Sequence, residues 1–307
     1  MPHGWLILDK PLGLGSTQAV SAVKRALRAG GYSKVKVGHG GTLDPLATGV
    51  LPVALGEATK LAGRMLDSDK EYVFTIRFGA ETDTLDAEGQ VVRKAALPRA
   101  GDVRAAVRAH RGPLDQIPPA YSALKVDGQR AYDRARAGED VVLPTRAVVI
   151  RTLVSTDTLN DLPNDQPVDQ AAFRTLVSKG TYIRSLARDI AQHAGSVGHV
   201  ATLRRIKAGP FDLSRAITLD KLAELGQGRR LAEAMLPLEA ALDGIPALAL
   251  DPAEATHLKQ GRVLCRAVVD GFYLARLGTV PIALVEARTG QVRVERGFNL
   301  DTAKDEF

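Results

Sequence analysis

The chain has 307 residues, with 41 lysines and arginines against 35 aspartates and glutamates (net charge +6), 45% apolar and 25% charged residues. That is ordinary globular usage and length enough for a substantial core, which excludes a disordered, collagen-like or coiled-coil chain. No apolar run approaches the ~18 residues of a membrane span, the patch Trp5–Leu8 is too short for a signal-peptide core, and one cysteine, Cys265, excludes an intrachain disulfide or a four-cysteine zinc site. A soluble cytoplasmic protein is expected.

Taken in order, Trp5–Asp9 reads as a strand and Lys10–Gly13 as a turn. Ser16 is predicted to cap a helix with Val20, Val23 and Leu27 on its apolar stripe, ended by Gly30-Gly31. A glycine-rich stretch, Gly38–Pro45, leads to a buried strand at Val50–Leu55, interrupted by Pro52. In Glu71–Phe78, Tyr72, Phe74, Ile76 and Phe78 alternate onto one strand face. Glu81–Gly89 reads as a solvated acidic hairpin loop, with Gln90–Arg93 as the return strand. Val103–His110 is a short helix. Residues 112–145, Pro-rich and then basic (Lys125, Arg130, Arg134, Arg136), read as an excursion from the core. Phe173–Val177 is a strand and Ser185–Ala194 a helix stopped by Gly195. Gly244, Pro246 and Pro252 mark a boundary. They divide a domain at 1–246 from a β-rich module at 247–307, with strands at Phe272–Leu277, Ile282–Glu286 and Gln291–Glu295. Interleaved strands and helices make the main body α/β or α+β.

The charge is uneven. Residues 250–307 balance eight basic against eight acidic side chains, so the excess lies upstream. Residues 179–207 carry Lys179, Arg184, Arg188, Arg204, Arg205 and Lys207 against Asp189 alone, a distribution that fits nucleic acid. Cofactor motifs fail. Gly38-x-Gly40 lacks the third glycine of a dinucleotide fingerprint, since position 43 is Leu43, and no P-loop string occurs. The acidic 81–88 stretch has the wrong spacing for an EF-hand, and the six histidines form no zinc pattern. Neither a cofactor nor a metal is expected. On spacing alone, Asp44 is either a catalytic carboxylate or the turn partner of Pro45. Tyr72 is a rim or core tyrosine. Arg184 is a surface side chain or, near a helix's positive end, the partner of an anion. His199, Arg204 and Arg205 are equally a solvated basic face.

Five ordered segments go further. Gly38–Leu51, GHGGTLDPLATGVL, resembles the active-site motif of the TruB family, the pseudouridine synthases of the bacterial tRNA T-loop type. Leu8–Gly13 with Ser16 resembles its Lys-Pro motif. Tyr72, Gly79 and Thr82-Asp83-Thr84-x-Asp86 resemble its tyrosine strand and following turn, and Pro118–Arg136 its RNA-contacting insertion. Lys179–Ser185 with His199-Val200 and Leu203-Arg204-Arg205 resembles its arginine motif. Position 15 is glycine where the family usually has Ser or Thr, and position 198 is glycine where Ala is usual. The tail is similar to a small PUA-like RNA-binding module.

The resemblance implies a mixed, largely antiparallel sheet flanked by helices. It implies cofactor-free isomerisation of uridine to pseudouridine at the T-loop position conventionally numbered 55. Asp44 would be the nucleophile or base, attacking either the ribose C1′ side or the base. Arg184 would keep it ionised and oriented against desolvation. The target base must leave its stack. His39 would brace the vacated space, and Tyr72 would stack on the flipped base and offer its hydroxyl for the late proton transfer at C5. Tyr182 and Leu203 would line the pocket, while Lys10 and the 179–207 segment would hold phosphates. The partner would be the tRNA T stem-loop, met by a monomer needing no other protein. Two rivals share these residues: a guide-RNA-dependent, dyskerin-type enzyme acting on ribosomal RNA, and an RNA-binding chaperone that folds tRNA.

Overall fold

Strand β1 (Gly4–Lys10) ends the strand order of the main sheet and is buried on both faces. Leu6 and Leu8 enter one apolar cluster and Trp5 and Ile7 another, which is why its sequence is a continuous apolar run rather than an alternation. The structure, a computed structural model, describes residues 2–122, 124–126, 128–139 and 143–300. Of the basic residues predicted for the 112–145 insertion, the side chains of Lys125 and Arg130 lie outside the described residues. Residues 301–307 of the predicted C-terminal module lie outside them too.

After β1 come α1 (Ser16–Ala29), β2 (Val37–His39), β3 (Ala47–Leu55), α2 (Ala62–Asp67), β4 (Lys70–Phe78), β5 (Ala80–Thr82), β6 (Val91–Lys94), α3 (Ala100–Ala109) and β7 (Gly112–Gln116). A small hairpin, β8 (Lys125–Val126) and β9 (Gln129–Arg130), precedes α4 (Ala131–Arg136), β10 (Arg146–Ser155), β11 (Gln170–Val177), α5 (Ile183–His193), β12 (Gly198–Ala208), β13 (Phe211–Asp212) and α6 (Leu219–Gln227). The last part holds β14 (Ala247–Ala249), α7 (Pro252–Lys259), β15 (Leu264–Cys265), β16 (Gly271–Leu277), β17 (Val280–Arg288) and β18 (Gln291–Gly297).

Among the described residues the main sheet has nine strands, in the order β1-β3-β12-β4-β11-β10-β7, with β2 beside β3 and β13 beside β12. Only the β3–β12 pair is parallel; the sheet is mixed and largely antiparallel, as the resemblance implied. Helices α1, α3, α5 and α6 contribute to the apolar cluster that also takes Phe74, Ile76 and Phe173 from the sheet. Phe74 and Phe173 are cross-strand partners with ring centroids 5.5 Å apart. Gly198 starts β12 where a Cβ would come within 3.0 Å of both Ala191 Cβ of α5 and the Arg77 carbonyl oxygen, so glycine there eases the packing of α5 on the sheet. A second sheet, β14-β16-β17-β18-β15, begins at Ala247 and packs Leu274, Leu284 and Phe298 into the cluster of Trp5 and Ile7. Among the described residues no helix is long and apolar enough to cross a membrane.

Several local expectations change. Ser16 is not the cap of α1: Gly15 is, and Ser16 is the first helical residue, its hydroxyl turned instead onto Leu43. Pro52 does not interrupt its strand. It lies opposite Ile7, whose carbonyl is taken by the Ile217 N–H, so that pair exchanges no ladder bond and the missing N–H leaves nothing unpaired. The 112–145 segment opens with a strand of the main sheet, β7 paired to β10, before it leaves the core. The basic stretch after Gly198 is a central strand, and Arg205 on it is buried.

Candidate active site

Asp44 lies in the loop between β2 and β3, at the rim of a cavity of about 820 Å³. Tyr72 of β4, Leu203 of β12, Tyr182 and Arg184 at the start of α5, and Arg146 at the start of β10 also line it. The sheet order explains the convergence. β3 and β4 flank β12, so the loop before β3, the middle of β4 and the middle of β12 meet at one place, where α5 delivers its first turn. Leu203 is in register with Ala47 on one side and Phe74 on the other, and Arg205 with Gly49 and Tyr72.

Arg184 Nε stands 2.9 Å from Asp44 Oδ2 and 3.6 Å from Asp86 Oδ2. Its Nη1 and Nη2 donate to the Thr84 and Tyr121 carbonyls at 2.8 and 2.9 Å, which fixes the plane of the guanidinium. Nε makes no in-line hydrogen bond, so the link to the two carboxylates is a charge pair. Arg184 is 5% exposed and Asp86 3%, while Asp44 keeps 35% of its side chain open to the cavity. A buried cation therefore meets two carboxylates at its Nε, one buried and one accessible. An arginine in the first turn of a helix is unfavourable without an anion; here there are two.

Asp86 is a site residue that the sequence reading missed. The hairpin between β5 and β6 is not a solvated loop at this point. Thr84 Oγ1 donates to Asp86 Oδ1 at 2.6 Å, the Glu88 N–H donates to the same oxygen, and Val200 N–H of β12 donates to the Leu85 carbonyl. Its signal was the Thr-Asp-Thr-x-Asp string, quoted only as part of a resemblance. Burial, then the charges of Asp86 and Asp44, raise the Glu88 carboxyl above its ordinary value.

Lys10 corrects a second expectation. It is 0% exposed and does not face solvent to take a phosphate. Its ammonium donates to the carbonyls of Pro11, Leu14 and Pro45 at 2.9, 2.5 and 3.2 Å, tying the end of β1 to the loop that carries Asp44. Burial brings its pKa down to about 8, against the pull of Asp44. Arg205, expected on a phosphate-holding segment or a solvated face, is likewise turned inward and donates to Gly41, Thr42 and Val50 carbonyls. His39 sits on β2 opposite Val53, outside the cavity lining. Burial, then Arg205, lower its pKa, which favours the neutral imidazole. Tyr182 faces the cavity with its phenol pushed up by burial. The Gln116 amide grips its backbone in both directions, at 3.1 and 2.8 Å. Tyr72 is buried to its rim. Lys70, two residues earlier, is capped by the Met65, Leu66 and Ser68 carbonyls, and burial brings its pKa to about 8. Among the described residues, no group of three His, Cys, Asp or Glu side chains is arranged to hold a metal ion.

An accessible carboxylate paired with a buried arginine thus shares its cavity with Tyr72, Tyr182 and Leu203, and the architecture has solved counterparts. A chain from the structure of an H/ACA RNP bound to a substrate RNA containing 2'-deoxyuridine superposes with a TM-score of 0.69, covering 96% of this chain and 85% of that one at 24% identity. A chain of the archaeal box H/ACA sRNP Nop10-Cbf5 complex gives 0.68 at 23% identity, over 96% and 86%. At that identity the likeness is one of fold. The model for the TruB family pseudouridylate synthase N-terminal domain matches residues 25–183, and that for the tRNA pseudouridylate synthase B C-terminal domain matches 184–243. The chain is 60% identical over 303 residues to tRNA pseudouridine synthase B of Novosphingobium aromaticivorans, covering 98% of each. It is 55% identical over 299 residues to that of Zymomonas mobilis, covering 97% of this chain and 96% of the other. The chain belongs to the TruB family of pseudouridylate synthases.

Proposed function

We propose that this enzyme isomerises a uridine of the tRNA T loop, the one conventionally numbered 55, to pseudouridine, with Asp44 as the attacking carboxylate. The observation that carries the reading is the accessible Asp44 held by Arg184 at 2.9 Å in a cavity shared with Tyr72, Tyr182 and Leu203. The names of the curated relatives support tRNA as the substrate.

In this mechanism the target uridine leaves its stack and enters the cavity. Asp44 attacks at the ribose C1′ side or at the base, and the bond from C1′ to N1 breaks. The uracil turns, C5 bonds to C1′ and the bond to Asp44 breaks, returning the free carboxylate; the C5 proton leaves and N1 takes one up. Arg184 orients the carboxylate through each step. Tyr72 stacks on the turning ring and its hydroxyl serves the proton transfer at C5. Tyr182 and Leu203 bound the ring's rotation, and His39 braces the RNA from outside the cavity. Residues 1–246 form the catalytic domain and 247–307 a PUA-like RNA-binding module. The protein acts in the cytoplasm as a monomer, without guide RNA or protein partner.

The test is an isolated T stem-loop transcript against one with a scrambled loop, each incubated with purified protein and no guide RNA, pseudouridine being mapped by base. Product at a single T-loop uridine, absent from the scrambled loop, is expected. Equal product in both, or none without guide RNA, would refute the T-loop assignment.

A further inference from the structure

The loop Gly41–Pro45 has no regular structure, yet every one of its five carbonyls has a donor. Gly41 and Thr42 take Arg205 Nη2 and Nη1 at 3.0 and 3.3 Å. Leu43 takes the Ser16 hydroxyl at 3.0 Å, and the same hydroxyl accepts the Leu43 N–H at 2.8 Å. Asp44 takes the Ala47 N–H, and Pro45 takes the Gly13 N–H together with Lys10. Arg205 supplies two of the five, and its Nε donates to Val50 on the strand that follows, at 2.8 Å. Its side chain is 1% exposed, so its charge is solvated by these carbonyls rather than by water.

The backbone of Arg205 is as informative as its side chain. It lies opposite Gly49 of β3 on one side and Tyr72 of β4 on the other. A Cβ at Gly49 would stand 2.1 Å from the Arg205 carbonyl oxygen, so β3 and β12 approach there as only glycine permits. One residue thus references the loop bearing Asp44 and the strand bearing Tyr72 to each other. We propose that Arg205 is a positioning residue for the isomerisation, setting Asp44 against Tyr72 by gripping the carbonyls of the Gly41–Pro45 loop, with Ser16 as its partner from α1. The inference rests on Asp44 being the attacking group. Here each of the three guanidinium nitrogens meets a different carbonyl, of Val50, Thr42 and Gly41, and a lysine at 205 would have one nitrogen in place of the three. A displacement of about 1 Å in an attacking group can slow a reaction about a hundredfold.

The experiment compares Arg205→Lys, Arg205→Ala, Ser16→Ala and Asp44→Asn with wild type. It reads the single-turnover rate constant at saturating T-stem-loop RNA, the RNA dissociation constant and thermal unfolding. Arg205→Lys is expected to stay folded, bind RNA as wild type does and react about ten- to a hundredfold more slowly. Ser16→Ala leaves the buried charge in place and is expected to lose about three- to tenfold, the worth of one hydrogen bond. The rate of Arg205→Ala is expected to recover partly with millimolar guanidinium chloride and not with equal sodium chloride. A wild-type rate constant in Arg205→Lys overturns the proposal, as does a rate loss matched by an equal loss of RNA affinity. If Arg205→Ala fails to fold, the other two variants decide. A fully active Asp44→Asn would remove the Asp44 reading itself; an inactive one beside a fully active Arg205→Lys would remove only this inference.

Discussion

The Gly41–Pro45 loop and the five-stranded C-terminal sheet both lean on β1 and β3, and they are held there by opposite means. The loop puts one side chain, Leu43, into the apolar core, and Lys10, Ser16 and Arg205 hold it through its carbonyls. The sheet docks through Leu274, Leu284 and the adjoining Phe298 against Trp5 and Ile7, with polar ties beside that packing, such as Lys60 to the Gly297 carbonyl and Arg276 to Glu239. Apolar packing tolerates substitution of similar volume, whereas a buried charge on several carbonyls allows one geometry. In the proposed mechanism the difference separates what the two regions contribute: the loop sets where the attacking carboxylate sits, and the sheet sets how firmly the fold holds.

Substitutions can break that separation. Asp44→Asn keeps the shape and removes the charge, and should lower turnover about a thousandfold or more while RNA affinity stays close to wild type in a binding assay. Arg184→Lys should slow turnover about a hundredfold, because a lysine cannot face Asp44 and Asp86 while donating to Thr84 and Tyr121; a wild-type rate there would argue against the charge pair. On the other side of the comparison, Phe298→Ala should cost about 3–5 kcal/mol in urea unfolding yet leave the rate constant at saturating RNA unchanged. A slowed reaction in a folded Phe298→Ala protein would mean that the two regions are coupled. Smallest is a pH effect on the buried lysines. Lys70 has a folded pKa of about 8 against an ordinary 10.5, so between those values the unfolded chain binds more protons and native stability rises with pH. The unfolding free energy of wild type minus that of Lys70→Met should therefore grow from pH 8 to 10.5, and a flat difference would contradict the burial.

What was legible in the sequence follows the same division. The alternation of Tyr72, Phe74, Ile76 and Phe78 gave a strand because each side chain's face depends only on its neighbours. The helix expected at Ser185–Ala194 runs over Ile183–His193, and the five motifs contain Asp44, Tyr72, Tyr182, Arg184 and Leu203, which line one cavity. The roles of Lys10, Ser16, Asp86 and Arg205 were not readable. A charged or hydroxyl side chain carries no local mark of burial, and each was assigned its usual solvent-facing or capping role. Their partners lie far along the chain: Arg205 meets Gly41 across 164 positions and Lys10 meets Pro45 across 35. Strand β12 was passed over because its lysines and arginines look like a solvated face until β3 and β4 close on either side of it.

The most direct measurement is tritium release from a T stem-loop labelled with [5-³H]uridine, with purified protein and no added cofactor, beside the Asp44→Asn variant. Isomerisation at C5 must release that tritium, so wild type is expected to release it and Asp44→Asn to release none while still binding the RNA. Release by Asp44→Asn at the wild-type rate would contradict the assignment of Asp44 as the attacking group.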